Sequence, residues 1–108
     1  MINNDQIDVS VCCLTYNHEK YIHQALESIL SQNCTYSIEI LIHDDASTDQ
    51  TASIIKEFEL KYPNIIKPIY QSQNQRSKIG GGMNPTFNFN RAKGRYLAFC
   101  EGDDFWIN

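Results

Sequence analysis

Two kinds of apolar spacing alternate along the chain and predict its secondary structure. Four short, mostly apolar runs predict buried β-strands at residues 9–14, 38–43, 66–70 and 96–100. Between them, apolar residues recur at the spacing of one helix face and predict a helix over about residues 19–31 and a second one that Pro63 ends. A short third helix is expected over residues 84–91. The order β-α-β-α-β-α-β is typical of a mostly parallel sheet covered on both faces.

Polar residues indicate where the first two helices begin. Asn17 precedes the first helix and is expected to cap its N-terminus. Before the second helix, Ser47 and Gln50 have the spacing of a capping box, with Ser47 at the N-cap, and Asp49 is interpreted as part of the same cap. Residues 71–83 are polar and glycine-rich, and they predict a mobile loop of the kind that often carries function.

The length and composition favour a single folded domain that covers residues 1–108. The chain has 108 residues, of which 42% are hydrophobic and 20% are charged, as in globular rather than disordered proteins. Nine lysines and arginines against thirteen acidic residues give a net charge of −4. That balance leaves no basic stripe for nucleic acid phosphates, and it favours a site where a metal cation meets an anionic ligand.

Neither a membrane span nor a secretion signal is expected in this chain. No apolar run reaches the roughly 18 residues that a bilayer-crossing helix needs, and the polar N-terminus lacks the parts of a signal peptide. We therefore expect a cytoplasmic protein, with the inner face of the membrane as a second location for the full-length protein. In that compartment four cysteines are expected to be reduced and mostly buried: Cys12, Cys13, Cys34 and Cys100. The three histidines lack the clustered spacing of a zinc site: His18, His23 and His43.

Acidic residues follow the second and fourth predicted strands. Parallel sheets bind ligands at the carboxyl ends of their strands, so these residues are expected to converge. The five carboxylates are those of Asp44, Asp45, Glu101, Asp103 and Asp104. Two like charges about 4 Å apart repel by roughly 4 kcal/mol at an effective dielectric of about 20, so the cluster requires cations or hydrogen bonds. Because Mg²⁺ is often shared between carboxylates and substrate phosphates, the cluster predicts a metal–diphosphate site, although a turn role explains Asp44 equally well.

Three blocks of the sequence resemble the family 2 glycosyltransferases, which have the GT-A fold. The blocks are the first strand with Thr15-Tyr16-Asn17, the second strand with Asp44-Asp45-Ala46-Ser47-Thr48-Asp49, and residues 92–106 with Glu101-Gly102-Asp103-Asp104 as a DXD-type motif. The resemblance implies a Rossmann-like half of that fold, an α/β structure in three α/β/α layers with a mostly parallel sheet. It also implies the donor-binding portion of an inverting enzyme. Such an enzyme transfers sugar from a nucleotide-diphosphate sugar to a saccharide or lipid-linked acceptor, here expected in surface polysaccharide synthesis.

The resemblance also implies which residues contact the donor. Thr15 and Tyr16, in the turn after the first strand, and Asp45 cradle the base and the ribose. A carboxylate that accepts the imide N–H of uracil makes a charge-assisted hydrogen bond, so a UDP-sugar is preferred as the donor, with GDP- and dTDP-sugars as the alternatives that the family offers. Asp103 faces the ribose, and Asp103 and Asp104 hold the divalent ion, Mg²⁺ or Mn²⁺.

Residues of the loop and of the third helix extend this implied site. Arg76 and Lys78 would offset charge on the diphosphate leaving group, although a solvated polar loop explains them equally well. Asn84 is assigned to donor binding, with a helix cap before Pro85 as the alternative. Glu101, at the place of the first Asp of the motif, is expected beside the metal. The full nucleotide-sugar-binding set is Thr15, Tyr16, Asn17, Asp44, Asp45, Arg76, Asn84 and Asp103.

The chain departs from the family pattern in two respects. Leu14 stands where family members commonly have Pro before the turn. The family's general base lies on the acceptor side, well after the acidic motif, and is expected beyond Asn108, so no catalytic residue is assigned within this chain. The isolated chain is therefore expected to bind donor without transferring sugar.

Three other functions fit parts of the sequence. A non-catalytic nucleotide-sugar-binding module would share every feature described above. A Mg²⁺-dependent receiver domain in signalling would need its acidic pair after the first strand, where this chain has Leu14 and Thr15. A dinucleotide-binding oxidoreductase would need a G-x-G-x-x-G turn at the same place, and the turn contains no glycine.

Overall fold

Strands and helices alternate along the described part of the chain. The computed structural model describes residues 6–32, 35–79 and 82–107, so Cys34, Gly80 and Gly81 lie outside it. The strands are β1 (Val9–Thr15), β2 (Ile38–Asp44), β3 (Ile66–Tyr70) and β4 (Tyr96–Phe99). The α-helices are α1 (Ile22–Leu30), α2 (Thr51–Lys61) and α3 (Arg76–Ile79). A π-helical turn (Asn84–Asn88) continues into a 3₁₀ turn (Phe89–Arg91).

The sheet is entirely parallel, with the strand order β3-β2-β1-β4. β1 is central: Val9 pairs with Ile38 of β2 on one side and with Tyr96 of β4 on the other. The carboxyl ends of β1, β2 and β4 therefore lie side by side at one edge of the sheet, which is where open parallel sheets bind ligands. The predicted α/β fold with a parallel sheet is confirmed.

One face of the sheet carries the hydrophobic core. Alternate residues of the central strand, such as Val11 and Cys13, are fully buried in a cluster with side chains of α1 and α2. The buried residues of α1 have the spacing of one helix face: Ile22, Ala25, Leu26 and Ile29. Burial of one such large side chain contributes about 1.5–3 kcal/mol, so this face holds the sheet and the helices in one arrangement.

The opposite face is covered by the turn segment 83–91 and contains polar contacts. Phe87 stacks on the buried His43 with ring centroids 4.4 Å apart. Asn88 is fully buried and donates a hydrogen bond to the carbonyl of Cys13 at 3.4 Å. Helices thus lie on one face of the sheet and this segment on the other, which is the three-layer arrangement that the sequence predicted.

β4 is an exposed edge strand, whereas the sequence predicted a buried strand over residues 96–100. Tyr96, Leu97 and Phe99 are 65%, 44% and 55% exposed, and Cys100, directly after the strand, is buried. β4 pairs with β1 alone, so within the described residues its other edge has no neighbouring strand. The apolar run was misleading because composition does not distinguish an edge strand from a central one.

The first helix begins later than predicted, and Asn17 does not cap it. α1 starts at Ile22 with Tyr21 at the N-cap and no side-chain cap bond. Asn17 adopts a left-handed backbone with φ 54°. Its Oδ1 accepts a hydrogen bond from the Thr48 N–H at 2.8 Å. Asn17 therefore joins the turn after β1 to the turn after β2, a long-range contact that competes successfully with local capping.

The predicted capping box before α2 is wrong. α2 begins at Thr51 with Gln50 at the N-cap and without a side-chain cap bond. Ser47 instead donates its hydroxyl to the Asp44 carboxylate. Asp49 Oδ1 accepts the Thr51 N–H at 2.9 Å, which confirms that Asp49 serves the start of α2.

The helical structure before β4 differs from the prediction in two places. Within residues 71–83, predicted as a loop, α3 forms a single short helix. The predicted third helix over 84–91 is a π turn followed by a 3₁₀ turn rather than an α-helix. Short π-helical turns often occur at functional sites, and this one packs directly under the sheet.

The described cysteines are free and buried, as predicted: Cys12, Cys13 and Cys100. Burial raises the pKa of the Cys100 thiol to about 11 and that of Cys13 higher still, so both are protonated and unreactive at neutral pH. Within the described residues, no helix has both the length and the apolar character that crossing a bilayer requires.

Candidate functional site

An open cleft of about 360 Å³ lies at the carboxyl ends of β1 and β2, beside the chain that follows β4. Its position agrees with the general rule for ligand sites in open parallel sheets. The lining residues are Leu14, Thr15, Tyr16, His18, Asp45, Asn74, Arg76, Met83, Glu101 and Asp103. Five residues of the set predicted from the sequence are among them: Thr15, Tyr16, Asp45, Arg76 and Asp103.

The end of β1 forms one wall of the cleft. Thr15 is the last residue of β1 and is 3% exposed, and its carbonyl accepts the Asp45 N–H at 3.0 Å. This bond extends the pairing of β1 and β2 one step past the strands and holds the two turns together. Tyr16, the next residue, is 44% exposed and presents an aromatic ring at the cleft.

Asp45 anchors the loop that forms the second wall. Its side chain is buried, with the residue 1% exposed. Oδ1 accepts the Gln75 N–H at 2.6 Å, and Oδ2 accepts the Arg76 N–H at 3.1 Å. Hydrogen bonds to a charged acceptor contribute about 1.5–3 kcal/mol each, so this carboxylate fixes the start of α3 and brings Arg76 to the cleft.

Residues 101–104, called the acidic loop below, form the third wall. Glu101 and Asp103 line the cleft and are exposed. The Asp104 N–H donates to the Glu101 carbonyl at 3.0 Å, which closes the loop into a turn. Asp104 itself is exposed outside the lining, and its carboxylate accepts the Phe105 N–H at 2.8 Å.

The acidic cluster is smaller than the sequence predicted. Three of the five acidic residues line the cleft, together with Arg76. Within residues 6–32, 35–79 and 82–107, no three His, Cys, Asp or Glu side chains lie close enough to hold a metal ion by themselves. The described carboxylates therefore do not form an all-protein metal cage, and an ion beside Asp103 would complete its shell from other groups such as substrate phosphates, as Mg²⁺ often does.

Three predicted binding residues lie outside the cleft lining: Asn17, Asp44 and Asn84. Asn17 is occupied with Thr48, as described above. Asp44 is 2% exposed, and its carboxylate accepts the hydroxyl of Ser47. This is the turn role that the sequence allowed equally with ligand binding. Burial raises the pKa of Asp44 above its ordinary value, although Ser47 donates to the carboxylate. Asn84 Oδ1 accepts Asn88 Nδ2 at 2.7 Å, inside the π turn.

Lys78 and four unpredicted residues complete the description of the cleft. Lys78 binds the side chain of Gln73 and is not part of the lining. Four residues line the cleft although the sequence assigned them no binding role: Leu14, His18, Asn74 and Met83. His18 directly follows the Thr15-Tyr16-Asn17 turn, and that adjacency could have placed it near the site. Asn74 and Met83 depend on how the loop folds back, which no local pattern indicates.

Comparisons with known proteins agree on the family and the fold. The model of a family described as "Glycosyl transferase family 2" matches residues 10–108. A Mycobacterium tuberculosis protein is 41% identical over 100 residues, which cover 93% of this chain and 28% of that protein. Escherichia coli WfaP, described as a UDP-Glc:alpha-D-GlcNAc-diphosphoundecaprenol beta-1,3-glucosyltransferase, is 39% identical over 100 residues, which cover 92% of this chain and 36% of WfaP.

A solved structure supports the same relationship in three dimensions. S. aureus TarS 1–349 in complex with UDP-GlcNAc matches this chain with a TM-score of 0.76 and 32% sequence identity. The match covers 92% of this chain and 27% of the TarS chain. The present chain thus spans about a third, or less, of the length of the relatives that it matches.

Proposed function

Because the chain belongs to glycosyltransferase family 2, we propose that residues 1–108 are a donor-binding portion that holds a nucleotide-diphosphate sugar in the cleft at the ends of β1 and β2. One observation carries this proposal. A single cleft is lined by Thr15, Tyr16, Asp45, Arg76 and Asp103, which come from four separate segments of the chain. A ligand with an aromatic base, a ribose and a diphosphate offers each of these groups a partner.

In this proposal the base is uracil, preferred over thymine on the family resemblance, and the carboxylate of Asp45, a residue of the cleft lining, would accept its imide N–H. The two oxygens of Asp45 already accept the Gln75 and Arg76 N–H groups, and an ionised carboxylate has about four acceptor sites, so capacity remains. The half-exposed ring of Tyr16 is available to pack against the base. The UDP-sugars in the descriptions of WfaP and TarS favour the same donor class.

The charge of the cleft bears on how the diphosphate is held. Carboxylates of Asp45, Glu101 and Asp103 outnumber the single guanidinium of Arg76, so the lining by itself repels an anion. Asp103 and Asp104 are the residues that would hold Mg²⁺ or Mn²⁺. A divalent ion there would supply positive charge against the diphosphate as it leaves the sugar. Arg76, on the opposite wall, adds a fixed positive charge at the same cleft.

Sugar transfer itself is proposed for a full-length protein, since this chain corresponds to 28% and 36% of two of its relatives. We expect inverting transfer from a UDP-sugar to a saccharide or lipid-linked acceptor in surface polysaccharide synthesis, at the cytoplasmic face of the membrane. WfaP, by its description, uses a diphosphoundecaprenol-linked acceptor, which is the basis for the lipid-linked alternative. With its base expected elsewhere, the isolated chain should bind donor and give no product.

Isothermal titration calorimetry tests donor binding directly. UDP, GDP and dTDP would be titrated into the chain with and without Mn²⁺, using wild type, Asp45→Ala, Asp103→Ala and Asp104→Ala. Glu57→Ala, an exposed charge removal on α2, is the matched control. We expect tightest binding of UDP with Mn²⁺, loss of binding in Asp45→Ala, and loss of the Mn²⁺ enhancement in Asp103→Ala and Asp104→Ala. Binding of GDP as tight as UDP, or no binding of any nucleotide, would contradict the proposal.

A further inference from the structure

His18 lies in the cleft wall, and its backbone is fixed from both sides. Its N–H donates to Thr51 Oγ1 at 2.9 Å, at the start of α2. Its carbonyl accepts the N–H groups of Tyr21 at 2.9 Å and Ile22 at 2.8 Å, at the start of α1. The imidazole therefore leaves the backbone from a point that two helices hold in place, and its side chain is 23% exposed.

The two ring nitrogens of His18 face two different walls of the cleft. Nδ1 lies 2.9 Å from Thr15 Oγ1, a hydrogen bond in which either group donates according to the tautomer. Nε2 lies 3.8 Å from Asp103 Oδ2, too far for a direct hydrogen bond and suited to a charge interaction or a bridging water. The ring thus fills the space between the end of β1 and the acidic loop.

Gly102 shows how closely the acidic loop packs on this ring. The Gly102 N–H donates to the Leu14 carbonyl at 3.0 Å, which continues the pairing of β1 past β4. A Cβ added at Gly102 would overlap Thr15 Oγ1 and lie 2.6 Å from His18 Nδ1. Since the loop backbone rests directly against the Thr15–His18 pair, the ring determines how near the loop can come to β1.

We propose that His18 is a positioning residue for donor binding, which holds the acidic loop so that Asp103 faces the cleft. The inference rests on the proposed function, because the donor is what Asp103 would meet there. His18 acts through Thr15 and Gly102 and does not need to touch the nucleotide. Residues that orient a metal-binding group typically change metal affinity or activity by about 10–100-fold when they are replaced.

Two substitutions separate positioning from direct contact with the ligand. His18→Ala removes the ring and both of its contacts. His18→Asn keeps a polar group near the place of Nδ1, so it can bond Thr15 and support the loop, but it removes Nε2. The matched control is His23→Asn on α1, where His23 is exposed and lies outside the cleft lining.

The first measurement needs no ligand. Hydrogen exchange of the Gly102 amide, followed by NMR, reports whether the loop stays bonded to Leu14. We expect faster exchange in His18→Ala by about tenfold or more, near wild-type exchange in His18→Asn, and no change in His23→Asn. Unchanged exchange of Gly102 in His18→Ala would overturn the inference even if the proposed function holds.

The second measurement is calorimetric titration of UDP with and without Mn²⁺ on the same variants. We expect His18→Ala to weaken UDP binding in the presence of Mn²⁺ by about tenfold and to weaken metal-free UDP binding much less. We expect His18→Asn to keep most of the wild-type affinity for UDP with Mn²⁺. If His18→Asn bound UDP as weakly as His18→Ala while Gly102 stayed protected, the loss would come from Nε2, and positioning through Thr15 and Gly102 would be wrong. Failure of wild type to bind UDP would count against the proposed function alone, because the Gly102 exchange still decides the positioning role. If His18→Ala does not fold, the comparison of His18→Asn with wild type decides the positioning role. Positioning predicts that His18→Asn has near wild-type exchange of the Gly102 amide and near wild-type affinity for UDP.

Discussion

At the scale of single residues, Asp45 has a structural role beside the ligand-binding role that we propose for it. The sequence suggested a ligand group at a strand end. The structure also makes Asp45 the acceptor for two backbone N–H groups, those of Gln75 and Arg76. Any change at this position therefore alters the wall of the cleft as well as its chemistry, and the two effects must be measured separately.

We expect Asp45→Ala to destabilise the fold by about 2–4 kcal/mol, because it leaves two N–H groups without their charged acceptor. Amide exchange of Arg76 should accelerate, and urea denaturation should give the loss in free energy of unfolding. Asp45→Asn retains one carbonyl acceptor and should lose about half as much. Equal stability of Asp45→Ala and wild type would show that the loop is held by other contacts.

At the scale of secondary-structure elements, the exposed edge strand β4 differs from the buried strand β2 in what a substitution costs. Leu97 of β4 is 44% exposed, whereas Leu41 of β2 is 1% exposed. Leu41→Ala should therefore cost about 2–5 kcal/mol through lost burial and a cavity. Leu97→Ala should cost less than about 1 kcal/mol. Urea denaturation of the two variants makes the comparison, and similar losses would mean that β4 is covered in solution.

The connection before β4 approaches the backbone of β1 closely. A Cβ at Gly94 would lie 2.7 Å from Ser10 Oγ and 2.8 Å from the Val9 carbonyl carbon. Gly94→Ala must push this connection off the strand, and we expect a loss of about 1–3 kcal/mol, as for other overpacked sites. Lys93→Ala is the neighbouring control, because Lys93 donates its backbone N–H to the Glu39 carboxylate and the variant retains this N–H. Equal denaturation midpoints for wild type and Gly94→Ala would refute the close approach.

Prediction from sequence succeeded for the elements that local pattern determines and failed where distant contacts decide. The apolar runs located β3 at its observed bounds, and they located β1 and β2 to within one residue, because buried strands need continuous apolar side chains. The start of α1 was misplaced because Asn17 bonds Thr48, thirty-one residues away in sequence, instead of its own helix. The sequence assigned His18 no role in the cleft for the same reason, since its contacts with Gly102 and Asp103 exist only in the folded chain.

At the scale of the whole molecule, a polar network on the face opposite the core joins β1, β2 and β3 to the connection before β4. Its centre is Glu39 of β2, whose side chain is 1% exposed. The carboxylate accepts Ser10 Oγ of β1 at 2.6 Å, Lys67 Nζ of β3 at 3.0 Å and the Lys93 N–H at 2.8 Å. Ser10 Oγ in turn accepts the Gly94 N–H at 2.8 Å, just before β4. The network thus sets the registry of the segment that leads to the acidic loop.

This network makes stability depend on pH in a definite direction. Burial by itself would raise the pKa of Glu39, but the bonds from Ser10, Lys93 and Lys67 outweigh it and hold the pKa below its ordinary value. The ionised form therefore stabilises the fold fully above the ordinary glutamate pKa of about 4.3, and this contribution is lost as the pH falls through the lower pKa of the folded state.

Glu39→Gln removes the charge and tests this dependence. We expect a loss of about 1–3 kcal/mol at neutral pH, measured by urea denaturation. The difference from wild type should shrink as the pH falls below about 4, because wild-type Glu39 then becomes neutral as well. Glu57→Gln, an exposed change on α2, should differ little from wild type at any pH. If the difference in free energy of unfolding between Glu39→Gln and wild type stays constant from neutral to acid pH, the Glu39 carboxylate does not cause the pH dependence of stability.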